Sequence, residues 1–102
     1  MWVRVTTLEG EAAADQSRVS EMAEMVRSKV LPAAEAMDGF RGMLTVADAE
    51  SGRSMSLTFW ESEDAMRASE EAANRLRKDF SEESGDSIAD VRRYEVLIDE
   101  RR

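Results

Sequence analysis

The sequence predicts an α+β fold of order βαββαβ, in which one four-stranded antiparallel sheet carries two helices on one face. Three observations predict it. Two-residue alternation of apolar and polar side chains marks four separate stretches, beginning near Trp2, Phe40, Arg53 and Ile88. Two stretches with apolar residues three or four apart separate the first strand from the second and the third from the fourth. Only the short segment Glu50, Ser51 and Gly52 separates the second strand from the third, which makes those two a hairpin. At 102 residues the chain forms a single domain, 1–102, with material for one two-layer core.

The first strand, Trp2 to Leu8, sets Val3, Val5 and Thr7 against Trp2, Arg4, Thr6 and Leu8, and Glu9 with Gly10 ends it. From Asp15 to Val30 the apolar positions Val19, Met22, Ala23, Val26 and Val30 lie on one side of an amphipathic helix. Pro32, the sole proline, is expected to end that helix, because the residue before a proline is pushed out of helical angles. The turn Asp38 to Gly42, read DGFRG, leads into the second strand, Phe40 to Asp48. The third strand runs from Arg53 to Trp60, after which Ser62 is a good N-cap and Glu63 and Asp64 complement the dipole of a second helix. Small residues on that helix, Ala65, Ser69, Ala72 and Ala73, allow close approach to a sheet. Ser84, Gly85 and Asp86 break it, and Ile88 to Ile98 forms the last strand. The tail, DERR, is expected to fray.

Composition narrows the chemistry. Cysteine and histidine are both absent, which removes thiolate nucleophiles, sulfur-based zinc sites, the usual base near neutral pH and the usual proximal haem ligand. A net charge of −8 argues against nucleic acid as a partner. No apolar run approaches a membrane span and the N-terminus lacks a secretory pattern, so the expected compartment is the cytoplasm. Methionines at 22, 25, 37, 43, 55 and 66 read as core filler. The acidic run Glu61, Glu63 and Asp64 reads as a solvated helix start, and no metal site is expected.

Helices cover one face of such a sheet, so the outward residues decide whether the domain can stand alone. The apolar set Met55, Leu57 and Phe59, with Val3 and Val5, is assigned to the helix side. That assignment leaves Trp2, Arg4, Thr6, Leu8, Thr58 and Trp60 on the open face, where two tryptophans call for a partner. A homodimer joined face to face is expected, with Trp2, Thr58, Trp60 and Arg93 at the interface. A phase shifted by one residue would instead make Trp2 and Trp60 core residues.

The order βαββαβ, the DGFRG turn and the segment FWESEDA at Phe59 to Ala65 together resemble the antibiotic biosynthesis monooxygenase family of the dimeric α+β barrel superfamily, a ferredoxin-like fold. Asp38 stands where that family's PGFxG turn has a proline. The resemblance covers nearly the whole chain and implies a homodimer whose sheets close into a barrel, with a ligand cavity in each subunit between sheet and helices. The family includes cofactor-independent oxygenases, quinol oxygenases and haem-degrading enzymes. The haem-degrading members use an Asn on the first strand and a Trp and a His on the second helix, where this chain has Val3, Ser69 and Asp79, so haem degradation by that mechanism is not expected. An oxygenase without metal, haem or other cofactor would act on a small aromatic or quinol-like molecule and would need a base and a charge stabiliser. The candidates for those roles are Tyr94, Arg4 and Arg92, with Arg93 and Trp60 behind them. Each also has a plain structural reading as a strand residue, an ion-pair partner or a packing anchor. The alternative function is a non-catalytic module that binds a small molecule or dimerises.

Overall fold

A computed structural model describes all 102 residues. Strand β1 spans Trp2–Glu9, and helices α1 (Glu11–Ala14) and α2 (Gln16–Met25) lead through a π turn at Val26–Val30 into α3 (Leu31–Glu35). The hairpin β2 (Phe40–Asp48) and β3 (Arg53–Trp60) follows, then α4 (Glu63–Ala68), α5 (Glu70–Ser84) and β4 (Ser87–Glu95). The strands form one antiparallel sheet of order β2-β3-β1-β4. This is the ferredoxin-like α+β arrangement that the alternation and spacing predict.

Besides α1, which precedes the helix start expected at Asp15, three boundaries differ from expectation, each for a local reason. Pro32 does not end the first helical run, which continues to Glu35. A proline inside an α-helix lacks a donor and collides with the carbonyl four residues back. Here the turn before it is widened, so that the Leu31 N–H bonds to the Val26 carbonyl five residues back, and the helical path passes through the proline. The second helix is two, α4 and α5, which meet at Ser69. The Ser69 hydroxyl donates to the Met66 carbonyl at 2.6 Å, taking up a backbone group at the break. The last strand stops at Glu95 rather than Ile98, and the final backbone bond on that side runs from Val96 N–H to the Met1 carbonyl.

The larger correction concerns the faces of the sheet. Residues directly opposite in an antiparallel pair point the same way, and β1 pairs with β3 as Trp2 with Trp60, Arg4 with Thr58, Thr6 with Ser56 and Leu8 with Ser54. This set faces the helices: Trp60 is 1% exposed and Arg4 2%. Trp2, Thr58 and Trp60, expected at a dimer face, therefore lie on the helix side, and so does Arg93, which pairs with Arg4. The open face instead carries Val3, Val5, Leu44, Val46, Met55, Leu57, Phe59 and Tyr94. Both faces hold large apolar groups, so alternation alone could not say which set meets the helices. The helix side could accept the polar set because its polar atoms have partners there. The Trp60 Nε1–H donates to Thr58 Oγ1 at 3.1 Å, and Phe40 meets the indole edge-on at 5.7 Å.

The ends of the outer elements are tied together by Asp86, which is 2% exposed. Gly85 closes α5 in the left-handed conformation with φ 81°. The Asp86 carboxylate then accepts from the N–H groups of Ala12 and Ala13 at 3.0 and 3.1 Å. It satisfies donors that the first turn of α1 would otherwise leave without partners. Gly10 allows the approach: its φ is +155°, and a Cβ there would lie 2.2 Å from Asp86 Oδ1. Replacement Asp86→Ala is expected to cost about 3 kcal/mol, the worth of two buried hydrogen bonds to a charged acceptor. The urea midpoint measures this cost, and Asp86→Asn should lose less.

Candidate functional site

A cavity of about 70 Å³ lies between the helix side of the sheet and the helices. Its floor is built by Arg4, Thr6, Ser56, Thr58 and Trp60, which alternation along β1 and β3 brings to one face. Val26 and Val30 of the π turn form one wall, and Leu76, Arg77 and Phe80 of α5 form the other. Open clefts flank it, one of about 410 Å³ between the π turn and α5 and one of about 340 Å³ between α2 and β2. Lys29 and Glu83 form an ion pair at 2.5 Å within the lining of the first.

The polar part of the site is organised around Arg4. Its Nη2 donates to the Met66 carbonyl and to Ser69 Oγ, both at 2.8 Å, and to Glu70 Oε1 at 2.9 Å. Its guanidinium carbon lies 5.4 Å from the centre of the Trp60 ring, within cation–π range. The break between α4 and α5 at Ser69 is thus the place where a buried guanidinium finds its acceptors. Glu70 also receives Arg93, at 2.6 Å to Oε1 and 2.7 Å to Oε2. Arg77 approaches the same carboxylate only to 3.9 Å, beyond hydrogen-bond distance, with its side chain 12% exposed. Three guanidiniums therefore surround one carboxylate.

These neighbours set the ionisation of the group. The hydrogen bonds from Arg93, aided by those from Arg4, hold the Glu70 carboxyl at about 2, against the opposing effect of burial. Burial lowers Arg4 and Arg77 from the usual arginine value; Glu70 partly offsets this at both, while Arg4 adds to the lowering at Arg77. At neutral pH the site presents cations and hydroxyl groups and one carboxylate that is already neutralised. It contains no group suited to accept a proton from a substrate. No group of three or more Asp, Glu, His or Cys side chains is placed to share a metal ion.

Of the residues singled out from the sequence, Arg4, Thr58 and Trp60 line the cavity. Arg93 contributes from the rim through Glu70. Tyr94 and Arg92 do not join them. Tyr94 pairs with Val3 on the open face and is 49% exposed, while Arg92 donates to Asp90. Of Tyr94, Arg4 and Arg92, Arg4 alone therefore reaches the cavity, where Trp60 joins it. At the positions that resemble the haem-degrading pattern, Val3 is on the open face, Ser69 is engaged by Arg4, and Asp79 is exposed beside the outer cleft. Glu70 and Arg77 were not anticipated. The signal for Arg77 was its place beside Leu76 and four residues after Ala73, on a stripe that continues to Phe80.

Replacement Glu70→Gln leaves Arg4 buried beside a neutral partner and is expected to destabilise the protein by about 2 kcal/mol at pH 7, after allowance for the partial exposure of the pair. A carboxyl lowered in the folded state stabilises it above its unfolded value and stops doing so as pH falls through the folded value. The difference between the parent protein and the variant should thus be complete at pH 6 to 7 and shrink between the usual value of 4.5 and about 2. Urea denaturation at three pH values checks this.

No protein-family model matches the chain. Among curated proteins it is 30% identical over 96 residues to the uncharacterized protein Rv2557 of Mycobacterium tuberculosis. The match takes in 94% of this chain but 41% of that protein, so the chain spans about two-fifths of the length of the relative. Among solved structures it superposes on a protein of Deinococcus radiodurans provisionally assigned as an antibiotic biosynthesis monooxygenase, with TM-score 0.66 and 16% identity over 100% of this chain and 98% of the other. A mutant of MhuD with two manganese protoporphyrin IX molecules bound per active site gives TM-score 0.65 and 16% identity, with both chains covered completely. The monooxygenase ActVA-Orf6 of Streptomyces coelicolor, in complex with nanaomycin D, gives 0.60 and 20% over 91% of this chain and 82% of the other. The chain has the fold of the antibiotic biosynthesis monooxygenase-like proteins.

Proposed function

We propose that this chain is a member of the antibiotic biosynthesis monooxygenase family that forms a cytoplasmic homodimer and binds a small aromatic molecule in the cavity between its sheet and helices. The observation that carries the reading is the lining of that cavity: two guanidiniums, Arg4 and Arg77, and the Trp60 indole set among apolar side chains, with no carboxylate facing in. Convergent polar groups in an apolar chamber are what orient a bound small molecule. A structural neighbour in complex with a small ligand, nanaomycin D, supports the binding part of this reading.

The dimer rests on the open face. Leu44 and Val46 are each 46% exposed and Met55 is 36% exposed, on a surface continuous with Leu57 and Phe59. An apolar sheet face of this extent is a surface for association, and two copies related by a two-fold axis cover it with one kind of contact.

Cofactor-independent oxygenation of a phenol or quinol is the second reading, favoured by the cationic wall, which would hold an ionised oxygen atom of the substrate. Glu70 is tied to its arginines and Tyr94 lies on the other face, so the substrate would have to arrive already deprotonated.

Sedimentation equilibrium at micromolar concentration should give twice the chain mass of 11.5 kDa, and Leu57→Asp should give one chain mass by burying an uncompensated carboxylate from each copy at the interface. A parent protein that sediments as a monomer removes the dimer. Calorimetric titration with phenols, quinols and aromatic acids should find binding that Trp60→Ala weakens at least tenfold and Tyr94→Phe leaves within twofold. An absence of binding across all three classes would overturn the cavity reading, and oxygen uptake with any bound phenol would favour the oxygenase.

A further inference from the structure

The four charged groups beside the cavity are unequally satisfied. Arg4 spends its guanidinium on the Met66 carbonyl, Ser69 and Glu70. Arg93 forms a two-pronged pair with Glu70. Arg77 makes no hydrogen bond, and its nearest anion, the same Glu70, is 3.9 Å away and already shared with the other two. Its side chain is 12% exposed and lines the cavity with Leu76, Phe80 and Trp60, and its nitrogens keep some contact with water, since no fully buried side-chain nitrogen or oxygen lacks a partner. A partly desolvated cation with no hydrogen-bonded partner gains from an anion that reaches it. Three cations against one carboxylate leave the wall positive, although the chain as a whole carries −8.

We infer that the cavity is selective for acids, with Arg77 receiving the carboxylate of a small planar aromatic acid whose ring occupies the apolar chamber against Trp60. This deepens the cavity reading above and rests on it. The planar fork of a guanidinium matches a carboxylate with two parallel N–H···O bonds, a geometry that a neutral hydroxyl cannot reproduce. The chamber is small, about 70 Å³ against the ~300 Å³ at which ligand pockets usually begin, which favours a single ring. Arg4 and Arg93 act indirectly: by occupying Glu70 they keep its carboxylate from closing on Arg77. Arg77 is thus the residue that sets specificity.

The test is a calorimetric titration of the full chain with benzoate and with benzyl alcohol, its neutral counterpart, at pH 7. Benzoate is expected to bind at least tenfold more tightly. Arg77→Gln should bring the two within twofold of each other, by weakening benzoate and leaving the alcohol unchanged. Arg77→Lys, which keeps the charge but loses the fork, should retain a preference of about threefold, and it carries the test if the glutamine variant does not fold. Equal binding of the two probes by the parent protein, or the full tenfold preference persisting in either variant, would overturn the role of Arg77 in acid selectivity and leave the cavity reading standing. Binding of neither probe would overturn the acid selectivity outright, and the phenols and quinols of the wider titration would then decide whether the cavity reading survives.

Discussion

A guanidinium laid beneath a β-sheet has to be met by acceptors or it will not stay there. Arg4 is met by a helix that stops and restarts at Ser69, freeing the Met66 carbonyl and a hydroxyl, and by the first residue of the next helix, Glu70. The register of β1 against β3, the break between α4 and α5, and the position of Trp60 all meet at this one side chain. If Arg4 faced outward, the sheet would turn over with it, because a strand shifted by one residue exchanges its faces entirely. The polar choice at the centre of the first strand thus orients the whole layer.

That dependence explains what the sequence did and did not disclose. Alternation and helical spacing identified every strand and the helical layer, because these periods follow from backbone geometry and survive local irregularity. They could not identify the sides of the sheet. Met55, Leu57 and Phe59 are more apolar than Ser54, Ser56 and Thr58, and transfer energies alone would send them inward. They face outward because the opposite set brings Arg4 and Trp60, which need the particular acceptors and the depth that only the helix side offers. A scale of residue hydrophobicity has no entry for a pair of faces that both want covering.

The site was legible in the same uneven way. Arg4 and Trp60 were candidates from their residue types, and they converge. Tyr94 and Arg92 shared those chemical merits but fell on the other side once the phase was corrected. Glu70 and Arg77 lay inside an ordinary run of helical charges, EEAANRLRK, where nothing local separates a solvated arginine from one turned inward. The role of Glu70 comes from contacts with residues 66 and 23 positions away, a separation at which single-sequence periodicity carries no information.

The π turn at Val26–Val30 adds something to the chain beyond a detour around a proline. An α-helix advances by about 100° per residue, so one extra residue in a turn rotates everything after it by about that angle. Ala34 is 4% exposed and Met37 lines the cavity. Without the added residue, a different stripe of α3 would lie over the sheet, and the exposed Glu35 and Ala36 would compete for that place. The proline therefore works as an angular gear: by forcing one wide turn, it selects which side of the following helix the sheet will meet.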